Sequence, residues 1–343
     1  TTLAGEILAA QGDGKVFVGG NIGNSLLDDI PNMSQEDLVV LELSSFQLEN
    51  LRYSPEYALV TNITPNHLDV HKTMEAYIEA KRSILAFQQP DDCVVLNYDN
   101  DITRSMAKEC PGQVFYFSRL AEPERGAFLR SGMIVLRDVG FAEGREEILC
   151  PIGAVRLLGV HNWENVLAAV TLTALCGAQP DAMIKVIASF TGVPHRLELV
   201  AEINGVKYYN DSIATSPARA VAGINALQEP LVLIAGGYDK QLSFDQLAET
   251  VVERVKAVVL VGATAEKLEK AIRAKQHRPD EPVICRSRDF DDAVVKASEL
   301  AVPGDVVLLS PACASYDMFR NFEERGERFR EIVRELVKKS WLG

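Results

Sequence analysis

The stretch Val39-Val40-Leu41-Glu42-Leu43-Ser44-Ser45-Phe46-Gln47-Leu48-Glu49 decides the fold, because an apolar run ends in a carboxylate, two hydroxyls and a carboxamide. Such a run is typical of a strand that is buried on both faces of a parallel sheet. Ligands of open α/β sheets bind at the carboxyl ends of these strands, and carboxylate oxygens suit a hard cation. Glu42 is therefore a candidate metal ligand. The alternative is that these polar residues only cap the following turn.

The length and composition limit the classes of protein to consider. A chain of 343 residues exceeds one typical core, which predicts two domains. An apolar content of 47% and a mean hydropathy of +0.02 are typical of a globular protein. The net charge of −13 argues against a general nucleic-acid or anionic-membrane surface, although it leaves room for a local phosphate pocket. Every apolar run is shorter than the ~20 residues that span a bilayer.

The cysteines and the first residues indicate the compartment. The six cysteines lack CxxC spacing and several lie in apolar runs, which favours buried, reduced thiols over disulfides or zinc ligands. We therefore expect a cytoplasmic protein. The chain opens with Thr-Thr-Leu-Ala-Gly-Glu-Ile-Leu, a helical pattern without an initiator Met and unlike a signal peptide. We expect an N-terminal part of the natural protein to precede it.

Strand-like and helix-like segments alternate along the chain. Strands are predicted at 16–18, 38–43, 58–60, 93–96, 114–116, 133–136, 206–209, 231–235, 257–261, 283–285 and 306–309. Helices are predicted at 74–88, 162–176, 180–189, 216–227, 244–255, 263–275, 291–300 and 322–338. This alternation predicts an α/β protein with mainly parallel sheets covered by helices. Residues 117–158 are choppier and predict a small antiparallel appendage. Gly and Pro in Thr191–Arg196 place a boundary between domains 1–191 and 192–343.

Two residues of the first domain extend the possible metal site. His67 lies in a loop after the strand at 58–60. A lone histidine there is more often structural, but a neighbouring strand that ends in Glu42 favours a metal ligand. Lys81 lies in the next helix, and its spacing alone indicates a solvated surface lysine.

Other polar residues point to nucleotide binding. Asn162 and Asn165 share one face of a helix's first turn, where one can cap the helix or both can recognise the edge of a purine. Arg196 at the boundary either forms a surface ion pair or reaches a phosphate when the domains close. Asp211 follows a strand and either caps the next helix or contacts a ribose or metal-bound water. Two further loops after strands, Gly236–Lys240 and Ser310–Ser315, are typical of ligand-binding loops.

Taken together, these residues resemble the Mur ligase family, and within it the members that add D-glutamate. The likeness covers essentially the whole chain in order, and its most specific segments are SSFQLE and SPACAS…NFEERG. The matching segments are Gly20–Gly23, Glu42–Gln47, Asn66–Asp69, Lys81, His161–Asn162 with Asn165, Pro194–Arg196, Asn210–Ser212, Gly236–Gly237 with Lys240, Ser310–Ser315, Asn321–Glu323 and Arg325–Gly326.

The resemblance implies a fold and an arrangement of domains. Residues 1–191 are expected to form a central P-loop-type ATPase domain, and residues 192–343 a Rossmann-like domain that binds the amino acid. Thr1–Glu6 is similar to the helix that follows the family's P-loop. The resemblance thus implies that a UDP-binding domain, the first strand of the central sheet and the P-loop itself are missing here, and that this polypeptide alone does not turn over.

The resemblance also implies an activity. The expected reaction is ATP- and Mg²⁺-dependent addition of D-glutamate to UDP-N-acetylmuramoyl-L-alanine through an acyl phosphate, in peptidoglycan precursor synthesis, by a monomer. The implied metal ligands are Glu42, His67 and a carbamylated Lys81, which would also be the catalytic residues. The implied ATP-binding residues are Asn162, Asn165, Arg196 and Asp211. The residues implied to face the UDP substrate or metal-bound water are Asn21, Ser44 and Gln47, and those implied to hold glutamate are Lys240, Ser315 and Phe322.

One departure from the family pattern bears on specificity. Many members have a lysine where this chain has Ile213 and an asparagine where it has Ser216. An aliphatic side chain cannot bind a phosphate or a carboxylate, so a ligase for L-glutamate or another amino acid stays open. A folylpolyglutamate-synthase-like ligase is a further alternative. Outside the enzymes, the alternative is a silent fragment that binds a nucleotide or a partner.

Overall fold

The structure is a computed structural model that describes residues 1–22, 26–64, 71–157, 159–278 and 281–340. The chain divides into two compact units, Thr1–Thr191 and Gly192–Gly343. Among the described residues, no helix is both long and apolar enough to cross a membrane. All six cysteines are free thiols.

The first unit alternates strands and helices in its first half and then forms consecutive strands. Its strands are β1 (Val16–Gly20), β2 (Leu38–Glu42), β3 (Tyr57–Val60), β4 (Cys93–Asn97), β5 (Gln113–Ser118), β6 (Gly126–Arg130), β7 (Met133–Arg137) and β8 (Glu146–Pro151). Its helices are α1 (Thr2–Gln11), α2 (Ser45–Glu49), α3 (Met74–Ala86), α4 (Asp101–Met106), α5 (Val160–Leu175) and α6 (Pro180–Ser189).

Strands β1 and β2 form a parallel pair, with Gly20 opposite Glu42 at their carboxyl ends. The prediction that the run through Val39 and Leu41 is buried on both faces is wrong. Val39 is 46% exposed and Leu41 is 49% exposed, whereas their neighbours Leu38 and Val40 are half-buried. The reason is that side chains alternate across a strand, and in the described residues only one face of β2 is covered.

Strands β3 to β8 form one six-stranded sheet in sequence order. The pairs from β3 to β6 are parallel, and β6–β7 and β7–β8 are antiparallel. The choppy segment is therefore antiparallel, as expected, but it extends the main sheet and is not a separate appendage. The connections from β6 to β7 and from β7 to β8 are short, as is typical of antiparallel neighbours. Helix α5 packs across β3 to β6, and the core strand β4 is fully buried at Val94, Val95 and Leu96.

The second unit is a doubly covered, mainly parallel sheet. Its strands are β9 (Glu198–Ile203), β10 (Val206–Asn210), β11 (Leu231–Ala235), β12 (Val255–Leu260), β13 (Val283–Arg286) and β14 (Val306–Leu309). Its helices are α7 (Pro217–Asn225), α8 (Asp245–Arg254), α9 (Ala265–Lys275), α10 (Phe290–Leu300) and α11 (Phe322–Ser340). The strand order is β13-β12-β11-β14-β10-β9, with β9 alone antiparallel to its neighbour.

The order of these strands determines where a ligand can bind. Strand β14 lies between β10 and β11, because the chain runs outward from β11 through β12 to β13 and then reverses to return to β14. A crevice at the carboxyl ends forms where the strand order reverses in this way. The loops that follow β10, β11 and β14 carry Asp211, Gly236–Lys240 and Ser310–Ser315. The fold therefore gathers three of the predicted loops at one edge of the sheet.

Candidate functional site

The carboxyl ends of β1 and β2 are held together at Glu42. The backbone N–H of Asn21 donates to the carbonyl of Glu42 at 2.7 Å. Gly20 has a φ of +97°, and a Cβ there would lie 2.3 Å from the carbonyl oxygen of Glu42. Only glycine permits this close approach, so Gly20 allows the backbone of Asn21 to lie beside the end of β2. The Glu42 carboxylate itself accepts a hydrogen bond from Thr1 Oγ1 at 3.3 Å.

Ser44 and Gln47 cap helix α2. The Ser44 Oγ accepts from the Gln47 N–H at 3.3 Å, and the Gln47 Oε1 accepts from the Ser44 N–H at 2.9 Å, which is a complete capping box. The capping alternative is thus present in the structure. The exposed Gln47 side chain keeps its amide N–H groups for a further partner, since only its oxygen takes part in the cap.

Lys81 lies on α3 in a partly buried position, where it interacts electrostatically with Glu42. Desolvation lowers the pKa of Lys81, and the negative charge of Glu42 opposes this shift. The ammonium lies 5.8 Å from the centre of the Tyr77 ring. Within the described segments no carboxylate lies within 4 Å of Lys81 Nζ. Its environment is therefore not that of a solvated surface lysine, and desolvation increases the share of the neutral amine at a given pH.

The histidine next to this region that the structure describes is His71. Its Nε2 lies 2.9 Å from Ser45 Oγ, and its ring stacks on Phe46 at a centroid distance of 5.1 Å. His71 is buried and thus connects the start of α2 to the start of α3. The predicted ligand His67 lies outside the described residues, and so do Asn66 and Asp69.

The donor set near Glu42 suits a hard cation only in part. Over the residues that the structure describes, no group of three or more His, Cys, Asp or Glu side chains is placed to hold a metal. Glu42 offers carboxylate oxygens and Thr1 a hydroxyl, both of which Mg²⁺ accepts. The ammonium of Lys81 repels a cation, but its carbamate would supply a second carboxylate-like group.

Asn162 and Asn165 face each other on the first turn of α5. The Asn165 Nδ2 donates to Asn162 Oδ1 at 2.9 Å. This bond engages the amide nitrogen of Asn165, and its side-chain oxygen is an acceptor of the kind that binds the exocyclic amine of a purine. The same turn is anchored by Glu164, which pairs with Arg119 at 3.1 Å.

In the second unit, Asp211 lies at the carboxyl end of β10 and is only 4% exposed. Its Oδ2 accepts from Ser310 Oγ at 2.8 Å, and its Oδ1 accepts from the Leu197 N–H at 3.3 Å. Burial raises the pKa of Asp211 to about 7, and these hydrogen bonds and the nearby Arg196 and Arg219 offset only part of that effect. Asp211 does not cap the following helix, whose N-cap is Ser216.

Arg325 connects the loop after β10, which carries Asp211, to the loop after β14. It is 1% exposed and lies one turn into α11. Its guanidinium donates to Ser212 Oγ at 3.0 Å, to the Ser212 carbonyl at 2.9 Å and to the Cys313 carbonyl at 3.1 Å. Desolvation lowers its pKa to about 10, so it stays charged at neutral pH. Arg325 thereby fixes the loop after β10 against the loop after β14.

The glycines after β11 are needed for packing against neighbouring loops. A Cβ on Gly236 would lie 1.9 Å from the Val261 carbonyl, and a Cβ on Gly237 would lie 2.3 Å from the Ala314 carbonyl. Thr264 holds the turn, because its Oγ1 accepts from the Gly237 N–H at 3.0 Å. In this structure the two glycines therefore allow close approach of the protein's own backbone.

Lys240 lies beyond these glycines on an exposed loop. Its Nζ donates to the Thr215 carbonyl at 3.4 Å, which places it beside the loop after β10. The loop is folded back by Lys267, whose Nζ pairs with Asp239 at 3.2 Å and donates to the Leu242 carbonyl at 3.2 Å.

Ser315 and Phe322 complete this edge of the sheet. Ser315 is buried, and its carbonyl accepts from the N–H groups of Met318 and Phe319. The Phe322 carbonyl accepts from Ser212 Oγ at 2.7 Å, and its ring contacts His195 edge-on at 6.2 Å. The structure thus brings Asp211, Lys240, Ser315 and Phe322 to one end of the second unit.

The residues of this unit that were not predicted as site residues include Ser310, Thr264 and Arg219. Ser310 had a signal in the sequence, since it is the first polar residue after an apolar strand. Thr264 and Arg219 had no such signal, because their contacts form only when the chain is folded.

The chain matches the Mur ligase middle domain over residues 2–173 and the Mur ligase glutamate ligase domain over residues 195–313. The chain belongs to the Mur ligase family. It is 50% identical to the UDP-N-acetylmuramoylalanine–D-glutamate ligase of Acetivibrio thermocellus over 337 residues, which are 97% of this chain and 71% of the relative. It is 48% identical to the ligase of the same name from Clostridium novyi, over 98% of this chain and 71% of that relative.

Solved Mur ligase structures share its fold. The MurF ligase of Thermotoga maritima in complex with ADP matches with a TM-score of 0.67 at 19% identity, over 98% of this chain and 78% of that one. A UDP-N-acetylmuramoyl-L-alanyl-D-glutamate–2,6-diaminopimelate ligase matches with a TM-score of 0.64 at 17% identity, over 98% and 75% of the two chains. At these identities the likeness concerns the fold alone. The expectation of a two-domain Mur ligase α/β fold is confirmed.

Proposed function

We propose that this Mur ligase catalyses the ADP-forming addition of D-glutamate to UDP-N-acetylmuramoyl-L-alanine in peptidoglycan precursor synthesis. The observation that carries the proposal is the identity of 45–50% to several ligases of that name across almost the whole chain. The γ-phosphoryl group of ATP passes to the substrate carboxylate and leaves ADP and an acyl phosphate. The amine of glutamate then attacks the carbonyl carbon, loses a proton and expels phosphate.

The first unit supplies groups for the phosphoryl-transfer half of this reaction. The Asn165 side-chain oxygen would accept from the adenine amine, since its amide nitrogen donates to Asn162. The amide N–H groups of Gln47 would bind the UDP substrate or water, and so would the side chain of Asn21, whose backbone lies beside the end of β2. These contacts position the substrate, and positioning is a main source of catalysis in phosphoryl transfer.

We propose that Glu42 and a carbamylated Lys81 hold Mg²⁺, with His67 as a further ligand. Magnesium would neutralise the charge that accumulates on the transferred phosphoryl oxygens. Carbamylation requires the neutral amine of Lys81 as nucleophile on CO₂, and the desolvated position of Lys81 favours that form. The resulting carbamate would replace the ammonium cation by an anion at a position that interacts electrostatically with Glu42.

The second unit supplies groups for the incoming amino acid and the nucleotide. Lys240 would oppose the side-chain carboxylate of glutamate, while Ser315 and Phe322 line the same edge of the sheet. Arg196 and Asp211 would contact ATP. We further propose a monomeric, cytoplasmic enzyme, in keeping with its reduced thiols and acidic charge.

The test is release of inorganic phosphate by the protein expressed from its complete gene, with ATP, Mg²⁺ and UDP-N-acetylmuramoyl-L-alanine. We expect release that depends on D-glutamate. Release with L-glutamate instead would assign the alternative amino-acid specificity suggested by Ile213. Release with a folate substrate would assign the folylpolyglutamate-synthase-like alternative. Nucleotide binding without release under any of these conditions would favour the silent binding protein.

A further inference from the structure

The loop after β10 lacks the cation that the family pattern places on it. Where many members have a lysine, this chain has Ile213, whose side chain offers no charge to a substrate anion. The remaining cation predicted for glutamate is Lys240, which contacts the same loop through the carbonyl of Thr215. An amino acid with two carboxylates is bound more tightly by two cations than by one, so the loss at position 213 calls for a replacement.

Arg219 occupies the position of a replacement. It lies on the first turn of α7, six residues beyond Ile213. Its Nη1 donates to the Ile213 carbonyl at 3.4 Å, which brings the guanidinium to the backbone of residue 213. The positive charge of Arg219 also offsets a small part of the rise in the pKa of Asp211, the residue that follows β10.

The charges around Arg219 leave it available to an anion. Its side chain is exposed, and in the described part of the chain no carboxylate lies within 4 Å of Arg219 or of Lys240. Lys207, Lys256 and Lys267 of the same unit, by contrast, are each paired with a carboxylate. One guanidinium nitrogen is engaged by a backbone carbonyl, and the remaining N–H groups face solvent at the same loop as Lys240.

We propose that Arg219 is a substrate-binding residue that replaces the missing lysine and, together with Lys240, binds a carboxylate of the incoming amino acid. The inference rests on the proposed function. Arg219 and Lys240 contact carbonyls two residues apart on one loop, so both can reach a single dicarboxylate. The planar guanidinium suits a carboxylate because it donates two parallel hydrogen bonds.

The experiment compares Michaelis constants for D-glutamate and for ATP in the protein expressed from its complete gene. For Arg219→Ala we expect the KM for D-glutamate to rise roughly tenfold or more, as for a lost charge-assisted hydrogen bond, with the KM for ATP unchanged. The double variant Ile213→Lys with Arg219→Ala restores the lysine of other members, and we expect its KM for D-glutamate to return towards the wild-type value. A purely structural role of Arg219 predicts no such rescue.

Arg254→Ala is the matched control. Arg254 also donates to a backbone carbonyl, that of Leu227 at 2.8 Å, but it lies at the opposite end of the sheet, next to the start of β12. It should leave both constants unchanged. An unchanged KM for D-glutamate in Arg219→Ala would overturn the inference, and a selective rise in the KM for ATP would assign Arg219 to phosphate instead. A wild-type protein that adds no D-glutamate would refute the proposed function itself, so the two failures are distinct. If Arg219→Ala does not fold, Arg219→Met carries the same test.

Discussion

Ser310 Oγ donates to Asp211 Oδ2 at 2.8 Å and joins the carboxyl ends of β14 and β10 at a carboxyl group that is almost fully buried. The hydrogen bond favours the ionised carboxylate, but burial has the larger effect and raises the pKa of Asp211 to about 7. Gly223 is packed against the same oxygen, since a Cβ there would lie 2.7 Å from it. The site therefore holds a buried carboxyl group with a pKa of about 7.

This raised pKa makes the stability of the ligand-free protein depend on pH. The folded state keeps a proton on Asp211 that the unfolded chain has already lost, so the free energy of unfolding falls by up to about 1.4 kcal/mol per pH unit between pH ~4 and ~7. Asp211→Asn removes this titration. From pH 5 to pH 8 we expect the variant to gain about 2–3 kcal/mol relative to the wild type, measured by urea unfolding.

Ser310→Ala provides the control for this prediction. It removes the donor that lowers the pKa of Asp211, so the pH range of lost stability should extend upward. Parallel pH profiles for the wild type and Asp211→Asn would show that the carboxylate of Asp211 is ionised without penalty, in contradiction to its burial.

The environment of Lys81 predicts that its amine reacts with CO₂. The neutral amine is the nucleophile, and desolvation increases its share at a given pH. We expect a carbamate carbonyl signal in ¹³C NMR after incubation with ¹³C-bicarbonate, and activity that falls in CO₂-depleted buffer and returns when bicarbonate is added.

Lys185→Arg serves as the matched control because Lys185 is an exposed lysine on helix α6 of the same unit. The signal should persist in Lys185→Arg and disappear in Lys81→Arg. A signal that survives in Lys81→Arg would place the modification elsewhere and remove Lys81 from the proposed metal ligands.

Gly326 is required by the position of His195. A Cβ at residue 326 would lie 2.1 Å from His195 Nδ1, which also accepts a hydrogen bond from Asn210 Nδ2 at 3.0 Å. We expect Gly326→Ala to lower the free energy of unfolding by at least about 2 kcal/mol through overpacking. Gly153→Ala, where nothing lies within 4 Å, should leave the stability nearly unchanged.

A double-mutant cycle separates this clash from other effects of the alanine. His195→Ala removes the ring that Gly326→Ala meets, so the two substitutions together should cost less than the sum of the single costs. Additive costs would mean that the ring is not what excludes a side chain at residue 326.

The buried guanidinium of Arg325 should control both stability and glutamate binding. Arg325→Met leaves the carbonyls of Ser212 and Cys313 without this donor, and we expect a loss of about 3 kcal/mol or more in the free energy of unfolding. Arg325→Lys keeps the positive charge but not the several N–H donors of the guanidinium. Its loss in the free energy of unfolding should therefore be smaller, while its KM for D-glutamate should still rise. Arg334→Met, at an exposed position on the same helix, should change neither quantity. Equal stability of Arg325→Met and Arg334→Met would contradict a stabilising role for the hydrogen bonds from Arg325 to Ser212 and Cys313.

The regular parts of the fold were predictable from sequence because apolar strands alternate with amphipathic helices. Strand β11 and helix α6 are observed at the predicted residues. Strand β9 was missed because Glu198 and Glu202 interrupt its apolar residues, and α2 was missed because it is a single capped turn. The exposure of Val39 and Leu41 could not be predicted, since a sequence pattern does not show which faces of a strand are covered.

The candidate site was predictable where one residue carries the chemistry and unpredictable where contacts between loops decide it. Glu42 and Asp211 were identifiable as polar residues directly after apolar strands. Tertiary packing determines the desolvation of Lys81, the hydrogen bonds from Arg325 to Ser212 and Cys313, and the contact between Arg219 and Ile213. They were therefore accessible only in the structure.

The most direct test of the proposed reaction is to follow ¹⁸O from the alanine carboxylate of UDP-N-acetylmuramoyl-L-alanine during turnover with ATP and D-glutamate. An acyl-phosphate ligase transfers one labelled oxygen to the released phosphate, and mass spectrometry should detect it together with a product extended by one glutamate. Unlabelled phosphate, or phosphate release without the extended product, would contradict the account.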